Sequence, residues 1–409
     1  MAANARRVAV CTALLLSLSM VGGVSAGELQ TVTLIDLSPD ERAAREITHD
    51  VARALKRMKD IRYRSVDESL NIGGEDMQRN NVRSAASLLR NGKKKLNAGE
   101  FDDAAEELES AVTGLMNAFA HSPDQQLVVD VFIYSGVALV KSNQRKLAVQ
   151  AFERAVTYHP KRRFDLSKWG SAVDKAYQKA RDKVLLRDQV TWELRTEPAN
   201  AEVWVNGRYF GLSPTFVRTF KGAQFIRLYK AGMAREGRVL TVNSENKVVN
   251  VKLRSASRKP AYDTLLERFS EVFDGAVEPN DFSEAQGLLV APRAVLVHNS
   301  GTREKMTVQL AYANLSGRQV VKRVTRNIKW LRRDKKAIER LVQELFKAPD
   351  IPMVAPQEVR TDSVFRKWWF WTAVGVVAAG ATTGAILLSR TSEVPDEYAP
   401  GQGGLEIRF

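Results

Sequence analysis

The sequence predicts a multidomain α+β protein with helical repeats, a small all-β domain, a further α+β domain and one C-terminal transmembrane helix. Three observations support this fold class. Apolar residues recur at helical spacing between residues 84 and 185, and they alternate with polar residues between 190 and 254. The segment 368–388 has no charged residue and is long enough to cross a bilayer. With 409 residues, the chain has room for several separate cores.

Residues 1–26 have the features of a Sec-type signal peptide. Arg6 and Arg7 precede an apolar segment, and small residues occupy the positions before a cleavage site after Ala26. An uncleaved membrane anchor is the alternative, since flanking Gly and Val residues extend the apolar segment. Cys11 is the only cysteine of the chain and lies inside the signal. The mature chain would therefore have no disulfide and no cysteine-ligated metal.

The chain is strongly basic. It has 62 Lys and Arg against 47 Asp and Glu, which gives a formal net charge of +15. The charge is densest in the segment 187–259 and in the run VKRVTRNIKWLRRDKK, which begins at Val321. Such a balance favours anionic partners. An exported chain meets little nucleic acid, and no recognition helix is evident, so acidic proteins, lipid headgroups and cell-wall or other anionic surface polymers are the expected partners.

A strand-helix-strand unit is predicted for residues 27–74. Ser38, Pro39 and Glu41 have the spacing of an N-cap, a first-turn proline and a capping-box acid, so they predict the start of the helix. The unit could complete one sheet together with the α+β domain at 262–347, with the middle domains inserted between them. The sequence leaves this arrangement open.

Two segments between residues 84 and 185 share a pattern of small and large residues. Small residues let antiparallel helices approach each other closely, and a proline ends a helix because it has no backbone N–H. The matching positions are Gly92, Gly99, Phe101, Ala104, Leu108 and Ala111 in the first segment and Gly136, Ala148, Phe152, Ala155 and Pro160 in the second. The pattern resembles the tetratricopeptide repeat, which implies stacked helical pairs that bind proteins on a concave face. An ordinary helical bundle is the alternative.

Residues 190–254 predict an all-β domain, because strand-like segments alternate with turns that contain Gly or Pro. Asn206-Gly207 suits a type I′ hairpin, in which both central residues need positive φ. A phosphate-binding loop is disfavoured, since these glycines lie between strands. The turn positions resemble those of the PEGA domain: Pro198, Ala201, Asn206, Gly207, Gly211, Pro214, Gly222 and Gly232. The sequence departs from the family signature at Asn200, which replaces a glycine but tolerates positive φ.

Trp204, Arg208 and Tyr209 lie on and beside the predicted hairpin. Val203 and Val205 are expected on one face of the strand and Trp204 on the other. Two roles stay open for the three candidate side chains. They could contact a binding partner, or they could pack against a neighbouring domain.

The C-terminal third begins with the α+β domain at 262–347, which resembles no family that we recognise. A Pro-containing linker (348–365) connects it to the predicted transmembrane helix (368–388), and a short tail (389–409) follows. Small residues on the membrane helix would let two copies pack together: Gly375, Ala379, Gly380 and Gly384.

No constellation of catalytic residues is evident in the sequence. The histidines lie in four different segments, without the spacing of metal ligands: His49, His121, His159 and His298. No nucleophile elbow and no Walker-type phosphate loop occurs. The acidic run FDDAAEELE fits the solvated face of a helix better than a cation site. We therefore expect no enzyme activity, no metal and no cofactor, with the domain at 262–347 left open.

The order of signal, helical repeats, β domain and membrane helix predicts a bacterial envelope scaffold. One helix would hold the chain in the inner membrane, with the bulk of it in the periplasm. The repeats and the PEGA-like domain would bind other envelope proteins, and the membrane helix is compatible with a homodimer. The alternative interpretation is that the basic β domain binds a cell-wall or anionic surface polymer.

Overall fold

The computed structural model describes residues 29–71, 74–121, 124–244, 247–273, 277–302, 304–329 and 335–347. The predicted signal peptide, linker, membrane helix and tail all lie outside these residues, and so do the four small residues of the membrane helix. Among the helices that are described, none combines the length and the apolar character that crossing a bilayer requires.

The described residues form a mixed α and β structure, which confirms the predicted fold class at this level. The α-helices are α1 Arg42–Arg57, α2 Asp67–Leu70, α3 Gly74–Ala98, α4 Phe101–Asn117, α5 Gln125–Lys141, α6 Arg145–Tyr158, α7 Ser171–Leu185, α8 Lys259–Phe269, α9 Pro279–Leu289 and α10 Lys335–Phe346. The strands are β1 Gln30–Asp36, β2 Ile61–Arg64, β3 Gln189–Glu197, β4 Glu202–Val205, β5 Arg208–Leu212, β6 Thr215–Phe220, β7 Gly222–Tyr229, β8 Glu236–Val242, β9 Val248–Lys252, β10 Arg293–Gly301, β11 Met306–Asn314 and β12 Gln319–Ile328.

The two ends of the described chain share one five-stranded sheet with the strand order β12-β11-β10-β1-β2. Strand β1 is parallel to both β10 and β2, whereas β10, β11 and β12 pair antiparallel. The strand-helix-strand unit and the region after residue 262 therefore build a single sheet, as the sequence left open. The helical region and the β domain are inserted between its strands.

Helices cover both faces of this sheet. We call the sheet and these helices the sheet unit. Helices α1 and α10 pack on the face that contains Val295 and Val297, and helices α8 and α9 pack on the face that contains Ala294 and Leu296. Successive residues of β10 thus alternate between two buried faces, as expected for a central strand. The result is a three-layer arrangement of helix, sheet and helix.

The start of α1 differs from the prediction. Glu41 occupies the N-cap position without a side-chain cap, and the helix begins at Arg42. Ser38 lies further out, where its hydroxyl accepts a hydrogen bond from the backbone N–H of Asn299 at 2.9 Å. The capping-box prediction is therefore wrong, because Ser38 serves the contact between β1 and β10 instead of the helix.

The helical region contains two antiparallel hairpins, α3 with α4 and α5 with α6. A Cβ added to Gly92 would lie 2.5 Å from Cγ of Leu108, and one added to Gly136 would lie 2.5 Å from Cε1 of Phe152. The glycines therefore permit the close approach of antiparallel helices that the sequence predicted. Helix α3 begins at Gly74, ahead of the predicted boundary at 84, because its polar first turns lack the apolar periodicity that sequence analysis detects.

Helix α7 does not follow α6 as a simple antiparallel neighbour. Residues 159–170, here called the strap, first run along α5: Arg162 contacts Gln126 near the start of that helix. At the other end of the strap, a Cβ on Gly170 would lie 3.9 Å from Nζ of Lys141, where α5 ends. The strap therefore returns the chain to the end of the stack at which α6 begins. Helix α7 starts there and covers α6, with an ion pair of 2.6 Å between Lys183 and Glu153.

The β domain is a sandwich of two sheets with the strand orders β6-β3-β9 and β5-β4-β7-β8. Its core contains Trp192 and Leu194 from one sheet and Val203, Val205 and Ile226 from the other. Val203 and Val205 are fully buried whereas Trp204 is only partly buried, which confirms the predicted alternation along β4.

Candidate functional site

A groove runs over the helical region between α3 and the strap. Its floor is the side of α5 that carries Asp130, Tyr134 and Lys141, whose spacing places them on one face of a helix. Lys93 of α3 reaches across this floor, with its Nζ 3.3 Å from Oδ2 of Asp130 and 4.1 Å from the ring centroid of Tyr134. We call this surface the stack groove.

The strap forms the opposite wall of the stack groove. The Arg162 guanidinium lies 4.5 Å from the ring centroid of Phe164, and Nζ of Lys168 lies 5.0 Å from that of Trp169. The hydroxyl of Tyr177 in α7 accepts a hydrogen bond from the backbone N–H of Phe164 at 3.3 Å. Burial is the main cause that raises the pKa of Tyr177, so this hydroxyl stays protonated and also donates to the carbonyl of Arg162 at 3.4 Å. The wall is thus fixed by contacts of its own.

The stack groove carries more positive than negative charge. Five basic side chains belong to its floor and walls, and Asp130 is the carboxylate at its centre: Arg90, Lys93, Lys141, Arg162 and Lys168. Arg90 lies one turn before Lys93 on α3 and is exposed. The electrostatic field of the stack groove is therefore positive, and complementary charge guides association and sets specificity.

The residues that defined the repeats lie in the core beneath the groove. Ala104, Leu108, Ala111, Ala148, Phe152 and Ala155 are all buried, and Phe101 packs against them. Asp102, Asp103, Glu106 and Glu109 of the acidic run are exposed on α4. Within the described residues no group of three His, Cys, Asp or Glu side chains has the arrangement of a metal site.

The turn positions of the β domain have the backbone conformations expected of them. Asn206 and Gly207 have φ of 48° and 72°, which suits the predicted hairpin, and Asn200 has a φ of 61°. The Asn206 side chain is buried: its Nδ2 donates to Oε1 of Gln224 at 2.8 Å, and its Oδ1 accepts from the backbone N–H of Phe225 at 2.9 Å. The hairpin tip also meets the helical region, since a Cβ on Gly207 would lie 3.0 Å from Tyr158.

Two of the three candidate contact residues pack within the chain. The ring of Tyr209 stacks on His49 of α1 with a centroid distance of 3.9 Å, and Trp204 lies 6.2 Å from the same ring. Oε1 of Glu202 lies 2.7 Å from Nδ1 of His49. Arg208 is exposed. Trp204 and Tyr209 therefore pack against the sheet unit, and Arg208 lies at the surface.

A cleft of about 320 Å³ lies between the β sandwich and the sheet unit. Its charged side chains form pairs, both within the sheet unit and across to the sandwich: Arg45 with Asp36 at 2.5 Å, Lys230 with Asp40 at 2.9 Å, Glu202 with His49, and Lys259 with Asp263. Because each of these charges already has a partner, the cleft offers a ligand little unmatched charge. Its polar groups instead join the two parts of the molecule.

The pKa shifts in the cleft follow from burial and pairing. Burial raises the pKa values of Tyr63, Tyr229 and Tyr262, so these hydroxyls remain protonated. Burial also lowers the pKa of Lys230, although Asp40 opposes this effect. For Glu202 burial acts to raise the pKa, but His49, Lys56 and Trp204 together lower it. These directions fit a set of fixed ions and hydrogen-bond donors.

Sequence analysis missed the strap and the cleft for different reasons. The strap has no regular period, and its apolar residues Phe164, Leu166 and Trp169 were the only signal of its packing. The cleft combines residues from β1, α1, the β sandwich and α8, which are far apart in sequence. Only the sheet that joins the two ends of the chain brings them together.

Comparison with known proteins identifies one part of the chain. The family model described as PEGA domain matches residues 189–257, which are the residues of the β sandwich. This match confirms the PEGA-like domain that the turn positions indicated at 190–254. Neither a curated protein nor a solved structure matches the chain. The tetratricopeptide character of the helical region stays a prediction.

Proposed function

We propose that the chain is an envelope scaffold that binds an acidic segment of another protein in the stack groove. The proposal includes the signal peptide, the single membrane helix and the periplasmic location that the sequence predicts. It assigns no enzyme activity. Its main support is the combination of five basic side chains with accessible aromatic rings along one groove of the helical region.

The course of the stack groove along one helix favours an extended segment. The strap meets α5 at Gln126 and beside Lys141, and α3 meets it at Asp130, so the surface between them follows the length of α5. Side chains of an extended peptide could alternate between the Lys93 wall and the Lys168 wall. Charge-assisted hydrogen bonds from lysines to carboxylates would then fix its position.

A photo-crosslinking experiment in cells tests this proposal. A photoreactive amino acid replaces Asn97, which is exposed one turn after Lys93 on α3, and in a matched control it replaces Glu109, which is exposed on α4. We expect a protein adduct from position 97 and none of the same mass from position 109. Lys141→Glu combined with Lys168→Glu should weaken the adduct at least fivefold, whereas Lys175→Glu on α7 should not. Equal adducts from both positions, or an adduct insensitive to the groove charges, would contradict the proposal.

Membrane topology tests the anchoring part of the proposal separately. A reporter that is active only in the cytoplasm, fused after Phe409, should be active, and one fused after a truncation at Lys347 should be inactive. A periplasmic C-terminus would contradict the proposed single-pass topology. It would not bear on binding in the stack groove.

The alternative function, binding of an anionic polymer by the β sandwich, receives less support. Several of the basic side chains that motivated it lie next to carboxylates: Arg195 with Glu193, Lys221 with Asp188, Lys230 with Asp40, Arg235 with Asp67 and Arg238 with Glu236. Their net field on a polymer is correspondingly small. Sedimentation of the full chain with peptidoglycan at low and high salt would measure the remaining affinity for such a polymer.

A further inference from the structure

The dense basic run of the sequence occupies an open edge of the five-stranded sheet. Strand β12 is the last strand in the order, and among the described residues it pairs with β11 alone. The ladder to β11 is regular from Lys322 to Ile328, after a register shift near its beginning. In an antiparallel ladder every second residue turns its backbone N–H and C=O outward, so alternate residues of this segment have no neighbouring strand in the described part of the chain.

The side chains along this edge are mostly basic and exposed. Arg318, Arg323, Arg326 and Lys329 are exposed, and Lys322 is partly buried. These basic side chains contact one carboxylate and two backbone carbonyls on the two faces of the sheet. Arg326 lies 2.9 Å from Oε2 of Glu344 in an exposed pair, Lys322 donates to the carbonyl of Glu344 at 2.6 Å, and Arg323 donates to that of Val272 at 3.0 Å. The edge therefore retains a strong positive charge.

This charge decides which strand can pair with β12. Lysine and arginine on an edge strand oppose association between copies of the same chain, because identical strands would place like charges opposite each other. The same charges favour a strand with carboxylates at alternate positions. A sheet edge that is closed to its own copy and open to an acidic segment has a built-in specificity.

We propose that β12 binds an extended acidic segment of a partner protein, which adds a sixth strand to the sheet. Backbone hydrogen bonds from residues 322–328 hold the added strand, and its carboxylates meet Lys322 and Arg326, which lie on the same face of the sheet. A lipid surface or a flexible anionic polymer would use the charges but would not require the outward backbone groups. This site is distinct from the stack groove, and its assignment does not depend on the proposed function.

Three labelled heptapeptides test the proposal by fluorescence anisotropy with the full-length chain in detergent. The first alternates Glu with Val, and the second replaces each Glu by Lys. The third keeps the Glu residues but carries N-methyl groups on its backbone nitrogens, so that neither edge can donate hydrogen bonds. We expect the first peptide to bind at least tenfold more tightly than either of the others. Equal binding of the N-methylated peptide would show attraction by charge alone and would overturn strand addition.

Variants of the protein then locate the site. Lys322→Gln combined with Arg326→Gln should weaken binding of the Glu peptide at least tenfold. Lys141→Glu combined with Lys168→Glu in the stack groove should leave this binding unchanged, and the reverse result would assign the peptide to the stack groove. Amide hydrogen exchange of the wild-type chain should slow at the outward-facing amides within residues 322–328 when the Glu peptide is bound. Because the peptide comparison uses the wild-type chain, the proposal stays testable even if the double variant fails to fold.

Discussion

The β sandwich has two interfaces within the chain, and they are built from different interactions. Towards the helical region the contact is apolar. The Phe225 ring lies 5.6 Å from Phe119, 5.7 Å from Phe132 and 5.6 Å from Tyr158, measured between ring centroids. A Cβ on Gly237 would lie 2.5 Å from the backbone nitrogen of Ala120, so the two backbones also approach closely.

Towards the sheet unit the contact consists mainly of hydrogen bonds and ion pairs, beside the stacked rings of Tyr209 and His49. Arg235 pairs with Asp67, which is fully buried, and donates to Oγ of Ser65 at 2.8 Å. Arg42 donates to the carbonyl of Pro214 at 2.7 Å, and Nδ2 of Asn200 donates to that of Asp40 at 2.8 Å. Burial of apolar area stabilises the first interface, whereas the second depends on whether each buried charge keeps its partner. The two interfaces should therefore respond differently to substitution, salt and pH.

The largest effect is expected for Phe225→Ala at the apolar interface. The side chain is 2% exposed and contacts three rings, so its removal leaves a cavity and should lower the free energy of unfolding by about 3 to 4 kcal/mol. Phe216→Ala is the matched control, because Phe216 belongs to the same sandwich but is 72% exposed. Chemical denaturation followed by circular dichroism measures both. Similar losses for the two variants would contradict an apolar interface centred on Phe225.

The next largest effect is expected for Asp67→Ala at the polar interface. This change leaves the Arg235 guanidinium without its carboxylate in a buried site, which costs about 3 kcal/mol. Asp188→Ala removes a carboxylate from the exposed pair with Lys221 and should leave the denaturation midpoint unchanged. If Asp67→Ala were equally silent, the pair with Arg235 would not contribute to the interface.

The sequence predicted the sandwich more completely than its surroundings. Strand periodicity and turn chemistry are local, so Asn206, Gly207 and Asn200 could be assigned positive φ before the fold was known. The close approach of Gly92 to Leu108 and of Gly136 to Phe152 followed from a repeat pattern of the same local kind.

The interfaces could not be predicted in this way, because their partners are distant in sequence. His49 and Glu202 are 153 residues apart, and Arg235 and Asp67 are 168 residues apart. Nothing local marks Ser38 as a partner of Asn299 instead of a helix cap. The stack groove was only partly predictable for the same reason, since the concave face was expected but the strap along it was not.

A smaller effect is expected for Glu202→Gln, which keeps the shape of the pair with His49 but removes the negative charge. The loss should be about 1 to 2 kcal/mol, the range for a hydrogen bond to a charged group. The folded pKa of Glu202 is lowered, so its stabilisation is complete above about pH 4.5 and is lost as the pH falls through the folded pKa. Denaturation midpoints measured at neutral pH and at low pH would contradict this view if the difference between wild type and variant stayed constant.

The smallest effect concerns His121, which brings pH dependence to the side of the sandwich that faces the helices. Residues 119–121 pack against β8, and burial, followed by the nearby Arg235, lowers the pKa of His121 to about 4. The unfolded chain binds this proton near pH 6.5, so the chain should lose stability as the pH falls from about 6.5 to about 4. The ring is partly solvated, which limits the loss to about 1 kcal/mol. His121→Asn should remove the pH dependence of the denaturation midpoint in this window. The loss of stability below pH 4.5, which is due to Glu202, should remain. The two interfaces would then be separable by pH alone, and an unchanged profile in the variant would place the titrating group elsewhere.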